Sequence, residues 1–171
     1  MSADLRLSVS MIEGQNLLRL IDEFIDLLVD GRDTTDAGLD RLTPTPYPED
    51  EAAAEDFRSA TRIDLLDRRV SDALEVRSAL SAFDLDDVEP GTEAAIAPHD
   101  VVIPIEDTDS WLRTLSAIRL VVAARLGIDT SDPHDPRDAR FHVYDWLAYR
   151  LDQIVLIADE RDAMGDGANP S

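Results

Sequence analysis

A chain of 171 residues is long enough for one domain with a sizeable core and too short for two comfortable ones. Its 37 acidic residues face 16 basic ones, all arginine, and the net charge of -21 repels nucleic-acid phosphates and anionic lipids, which argues against direct binding of nucleic acid or membrane. Cysteine is absent, excluding disulfides, thiolate nucleophiles and thiol redox sensing; MSADLRLSVS lacks a basic and apolar leader, no apolar run nears the ~18 residues of a membrane span, and a cytoplasmic protein is expected.

Along the chain, Leu5, Leu7 and Val9 alternate with polar residues, the pattern of a short half-buried strand. From Met11 the period changes, and Leu17, Leu18, Ile21, Phe24, Ile25 and Leu28 form a helical stripe that stops at Gly31. Gly38, Pro44, Pro46 and Pro48 punctuate residues 32–48, which read as a loop pinned by Leu39, Leu42 and Tyr47. A second helical region starts near Glu49 with Phe57 as its anchor. Thr61 with Asp64 resembles a capping pair, so one bent helix or two short-linked ones satisfy the stripe of Ile63, Leu66, Val70, Leu74 and Leu80.

Pro90, Gly91 and Pro98 mark residues 84–100 as an exposed linker or mobile loop. Val101, Val102, Ile103 and Ile105 make a brief β-branched run able to pair with the N-terminal strand, although two strands alone are marginal without helices for cover. The strongest signal follows, WLRTLSAIRLVVAARLG. At 100° per residue Trp111, Leu115, Ile118, Val122 and Leu126 fall within about 80°, and Leu112, Leu120 and Val121 add apolar surface elsewhere, so a buried central helix is expected. Thr108 or Asp109 can cap it and Gly127 can close it. Arg119 and Arg125 border its stripe, with stems on the core edge and heads seeking carboxylates; Asp145 or Asp22 is the expected partner of Arg119. After DTSDPHDP the last helix presents Phe141, Tyr144, Leu147, Leu151, Ile154, Val155 and Ala158, and the tail from Met164 reads as disordered.

These elements predict a mainly α fold, a bundle of four to five helices around the central helix 108–127, with a small two-stranded sheet pairing 5–9 with 101–105. One domain over 1–163 and a tail over 164–171 follow. Candidate chemistry is sparse, and no catalytic, cofactor or metal residue is assigned. His134 lies among Asp129, Asp132, Asp135 and Asp138, but the spacing fits neither an EF-hand nor a zinc motif, and Asp beside Pro is ordinary turn chemistry. Trp111, Trp146, Tyr144 and Tyr149 can line a pocket, yet aromatics at helical spacing are more often core.

Three blocks carry a family resemblance: LDRLTPTPYPEDEAAAEDFRSAT, WLRTLSAIRLVVAARLGI and YDWLAYRLDQIVLIAD. In that order they resemble an actinobacterial domain-of-unknown-function family, number two thousand and seventeen, which includes AosR-like oxidative-stress transcriptional regulators. The resemblance implies a regulatory protein that engages transcription machinery such as a sigma factor through a Cys-x-x-x-Cys switch. This chain has no cysteine, so only the interaction role carries over; it also has Ser116-Ala117 where the family has Asn-Asp, and Ala123 where it has Gly.

The expectation is therefore a non-enzymatic interaction module without cofactor, whose structural or interaction residues are Trp111, Arg119, Arg125, Tyr144, Trp146 and Leu156. The alternative is a small-molecule or metal-binding enzyme using the His134 segment or an aromatic pocket. The run Ile154-Val155-Leu156-Ile157 puts apolar side chains on every side of the last helix, so either the 84–100 loop or a second copy in a homodimer must cover the outer surface.

Overall fold

Alternation along the first strand and a change to helical period at Met11 are the local rules from which the fold is built. The computed structural model describes residues 4–33, 35–43, 51–129 and 131–167, with the side chains of residues 33, 51, 54, 57–60 and 166 outside that description. Strand β1, Leu5–Ser10, turns Leu5, Leu7 and Val9 inward and leaves Arg6 and Ser8 outside. It runs directly into helix α1, Met11–Asp30. Ser10 caps this helix and Glu13 reaches back to the Ser10 backbone, a capping box that satisfies N–H groups at a helix start. Gly31 ends α1 as the sequence predicts.

The segment expected to be a loop instead holds a short helix α2, Ala37–Leu42. Asp36 accepts hydrogen bonds from the Gly38 and Leu39 backbone, and Leu39 and Leu42 are buried. One Asx cap and two core leucines suffice for a turn and a half of helix once a neighbour supplies the core. Gly38 lets α2 approach closely, because a Cβ there would lie 2.9 Å from Val121 Cγ1. Tyr47, the other expected pin, lies outside the described residues.

Helix α3, Glu51–Ala79, is uninterrupted, so Thr61 is an interior position rather than a cap. The Phe57 anchor lies among the side chains outside the description. The 84–100 segment, expected as a linker, carries helix α4, Glu93–Ile96, and is tied down by buried Gln15. Gln15 donates to the carbonyls of Asp86 at 3.0 Å and Leu85 at 3.5 Å, and accepts from the Val88 N–H at 3.1 Å. A single buried amide thus satisfies several loop groups, which composition does not reveal.

Strand β2 is Pro98–Ile103, antiparallel to β1, with Leu7 opposite Val101 and Leu5 opposite Ile103. The pairing is the expected one, but β2 lies earlier than 101–105, because Pro104 lacks an N–H and Ile105 enters a 3₁₀ turn. Helix α5, Thr108–Leu126, follows, and neither predicted cap acts: Asp107 sits at the cap without a side-chain bond, and Thr108 is already helical. Gly127 does close it, at φ 70°, giving its N–H to Ala123 and Ala124. That left-handed geometry favours glycine. Helix α6, His142–Asp166, extends beyond the expected domain end, so Met164 to Asp166 are helical. The remainder of the predicted tail, residues 168–171, lies outside the described residues.

Among the described residues the chain has six helices and one two-stranded sheet, the mainly α class expected. Helix α5 is central, packing against α2, α3 and α6. Trp111, Leu115, Ile118 and Val121 are buried in one cluster with Leu39, Leu66, Leu147 and Ile154, which Ile21, Phe24, Leu28 and the inward strand residues complete. The sheet closes one end, and α1 covers α3.

Among the described glycines the closest approach is at Gly14, where a Cβ would lie 2.2–2.5 Å from atoms of the buried Phe83 ring. Gly14→Ala should destabilise the fold by up to about 2 kcal/mol, because overpacking at ~1–3 kcal/mol is offset by only the ~1 kcal/mol gained in helix propensity. Gly165→Ala, with open space around the added methyl, should be neutral or stabilising. A thermal melt in which Gly14→Ala equals or exceeds the wild type would show that Phe83 gives way at no cost.

Candidate functional site

The most elaborate polar cluster lies where β1 becomes α1, against the middle of α6. The capping box leaves Glu13 Oε1 pointing away from its own helix, where it accepts from Trp146 Nε1 at 3.0 Å and Arg150 Nη2 at 2.7 Å. Arg150 is only 5% exposed, and its Nη1 donates to the Ser8 carbonyl at 3.1 Å and Gln153 Oε1 at 2.6 Å. Its guanidinium also lies 5.6 Å from the Trp146 ring centroid and 5.3 Å from that of Tyr149. A buried arginine demands such partners, since an unpaired buried charge is costly. Partial burial alone would raise the Glu13 carboxyl, but hydrogen bonds from the Ser10 backbone, Trp146, Arg150 and the Ser10 hydroxyl outweigh it and hold the pKa at about 2. So strong an acid is a fixed anion and a poor general base near neutral pH.

Beside this cluster a cavity of about 500 Å³ opens between α1 and the start of α6. Leu20, Val143 and Trp146 form its apolar wall, and Asn16, Arg19, Glu23 and His142 its polar rim. The cleft can hold a small amphiphilic group, with Glu13 as a fixed acceptor already committed to Arg150.

A second arrangement surrounds His134. Its Nε2 lies 2.7 Å from Asp145 Oδ1, its ring stacks on Phe141 at 4.3 Å between centroids, and Tyr144 meets it edge-on at 5.8 Å. The neighbouring aspartates turn elsewhere: Asp132 accepts from the Asp129 N–H, Asp135 from the Arg137 N–H and Asp138 from the Arg140 N–H. Among the described residues no group of three His, Asp or Glu side chains can hold a metal.

The expected partners of Arg119 are both engaged, Asp145 by His134 and Asp22 by Arg77. Arg119 rests instead on the Tyr144 face, 3.9 Å from the ring centroid, with its buried Nε lacking a hydrogen-bond partner among the described residues. The arginine of α5 that does find a carboxylate is Arg113, bidentate to Asp72 at 2.9 Å with Ser110 closing the triad. Arg113, on the solvent side, reaches across to α3, whereas Arg119 meets an aromatic surface.

The singled-out residues therefore do not form one site. Trp111 is fully buried in the core, Tyr144 lies under Arg119, Trp146 belongs to the Glu13 cluster, Arg125 is exposed at the end of α5, and Leu156 faces outward. The centre that sequence reasoning missed is Glu13 with Arg150. Its signal was present: Ser10 and Glu13 have capping-box spacing at the strand-to-helix change, and Arg150 interrupts the apolar stripe between Leu147 and Leu151.

A family model described as Domain of unknown function (DUF2017) matches residues 2–158. No curated protein and no solved structure matches the chain.

The low pKa of Glu13 gives stability a defined pH window. Because its folded value lies below the ordinary 4.5, this stabilisation is complete above about pH 4.5 and is lost as pH falls toward about 2. Allowing for solvent at the partly exposed carboxylate it amounts to about 1–2 kcal/mol, so the stability difference between wild type and Glu13→Gln should shrink by most of that amount on acidification from pH 7 to 2.5. A pH-independent difference would mean that the carboxylate charge is not what matters. Arg150→Ala should cost about 2–3 kcal/mol in denaturant melts, Arg119→Ala about 0.5–2 and exposed Arg6→Ala under about 0.5.

Proposed function

The chain belongs to the DUF2017 family, and on that premise we propose that it is a non-enzymatic interaction module of transcriptional or stress regulation, acting in the cytoplasm through protein partners. The role follows that of the AosR-like regulators that its blocks resemble, whose partner class is transcription machinery such as a sigma factor. It differs in lacking their cysteine switch, so its trigger is not thiol oxidation.

The observation that carries this reading is the outer face of α6. Tyr149 and Leu156, two turns apart on one face, are 55% and 59% exposed, with Val155 exposed beside them. The 84–100 segment does not cover them, since Gln15 and the α1–α4 packing hold it against α1. Apolar side chains left outside while the same helix fills the core with Leu147 and Ile154 mark a surface kept for a partner. That partner includes a second copy of the chain. Two bodies of charge -21 repel, so self-association depends on this apolar contact and tightens as salt screens the charge.

The second reading is a small-molecule enzyme centred on His134, favoured by its bond to Asp145 and by a buried Nδ1 with no partner among the described residues. A ligand of that site raises the melting temperature of the wild type and not of His134→Ala.

Light scattering should report twice the 18.9 kDa monomer mass, rising with salt, and Leu156→Asp should return the monomer with unchanged helicity. Affinity capture should recover a regulatory or transcription protein, and lose it in Leu156→Asp. A monomer at all salt concentrations that captures no such protein would sink this function.

A further inference from the structure

On the opposite side of α5, the surface between α3 and α5 opens as a groove of about 760 Å³. Its apolar strip is Leu65, Leu112 and Leu120, all half-buried, and its rim is cationic, with Arg68, Arg69 and Arg113. In a chain of net charge -21, the groove lining holds three arginines against one carboxylate, Asp72. Asp72 compensates Arg113 through the bidentate pair, but neither Arg68 nor Arg69 makes an ion pair with another described residue. Burial holds the Arg69 guanidinium below the ordinary arginine value, and the like charge of Arg113 pushes the same way against an opposing pull from Asp72. Its Nε is buried without a partner among the described residues. These are the marks of a cationic site short of one anion.

Length and shape select the occupant. The lining from Leu65 to Asp72 and from Leu112 to Leu120 runs about two helical turns, roughly 10–12 Å, beside both helices. A lone phosphate or carboxylate would leave most of that volume and the leucine strip empty. We propose that the α3–α5 groove is a docking site for an acidic amphipathic helix of a partner protein, with apolar residues on Leu65, Leu112 and Leu120 and carboxylates on Arg68 and Arg69. Helix-in-groove recognition uses this division, apolar anchors for affinity and charge at the rim for orientation and rate. The inference rests on the partner-binding reading above and specifies the chemistry of one partner segment, on a face separate from Tyr149 and Leu156.

The probe is a fluorescein-labelled helical peptide of about 15 residues with leucines on one face and glutamates on the other, compared with its lysine-for-glutamate counterpart by anisotropy on the full chain. The glutamate peptide should bind, weaken with salt, and lose about tenfold in affinity with exposed Arg68→Glu, while the same charge change at exposed Arg137→Glu leaves binding within about twofold. Arg69→Gln should weaken it similarly, and circular dichroism on each variant separates loss of binding from loss of fold. No binding of the glutamate peptide, equal binding of both peptides, equal effects of Arg68→Glu and Arg137→Glu, or a melting-temperature rise with inorganic phosphate alone would each overturn the assignment. If a cellular partner is captured by wild type and Arg68→Glu alike but lost in Leu156→Asp, the groove assignment fails and the regulatory reading stands. If the peptide binds as expected and no cellular partner is captured, the reverse holds.

Discussion

The contact between Glu13 and Arg150 joins the two ends of the chain, and the arrangement of the helices depends on it. One carboxylate caps α1 through Ser10 and, through its other oxygen, receives the indole of Trp146 and the guanidinium of Arg150. The arginine in turn holds the Ser8 carbonyl of the first strand. Strand, helix start and C-terminal helix are thereby fixed at one point by charge-assisted bonds, which are stronger and more directional than apolar contact. Hydrophobic burial around α5 supplies the bulk driving force and turns Tyr144, Leu147 and Ile154 of α6 inward. The buried guanidinium reinforces that rotation, because turning α6 would strand it without a partner.

The same division recurs between the other layers. Asp22 with Arg77 ties α1 to α3, and Asp72 with Arg113 ties α3 to α5, each at the edge of an apolar contact. With no lysine and 37 carboxylates, every such tie draws on a small set of arginines, and the excess acid is left on the surface. An exterior of that sign repels phosphate backbones, while Arg77 and Arg113 sit in the seams between helices. Seams are also where partners can insert. The groove beside Arg68 and Arg69 follows from the way this composition packs, as does the polar-rimmed cleft beside Glu13.

Two surfaces of α5's neighbours are then distinguishable by chemistry. The outer face of α6 sets exposed Tyr149 and Leu156 among Asp152, Gln153 and Glu160, whereas the α3–α5 groove is lined by leucines and arginines. The family match over residues 2–158 takes in both faces.

Periodicity and residue identity alone determined the large features: the strand from Leu5, the helix ending at Gly31, and the buried helix around Trp111 closed by Gly127. Each is a local pattern with a repeat of two or 3.6 residues, which a sequence displays without knowing its neighbours. What only the tertiary structure decided was which polar side chain meets which. Helix α2 and the anchored 84–100 segment depend on Val121 and Gln15, residues remote in sequence, so their glycines and prolines read as loops. Arg119 met Tyr144 rather than a carboxylate because Asp22 and Asp145 already had partners. Pairing among 16 arginines and 37 acids is a many-way choice whose alternatives differ little in solvent, and it is resolved only when burial removes water from a few of them.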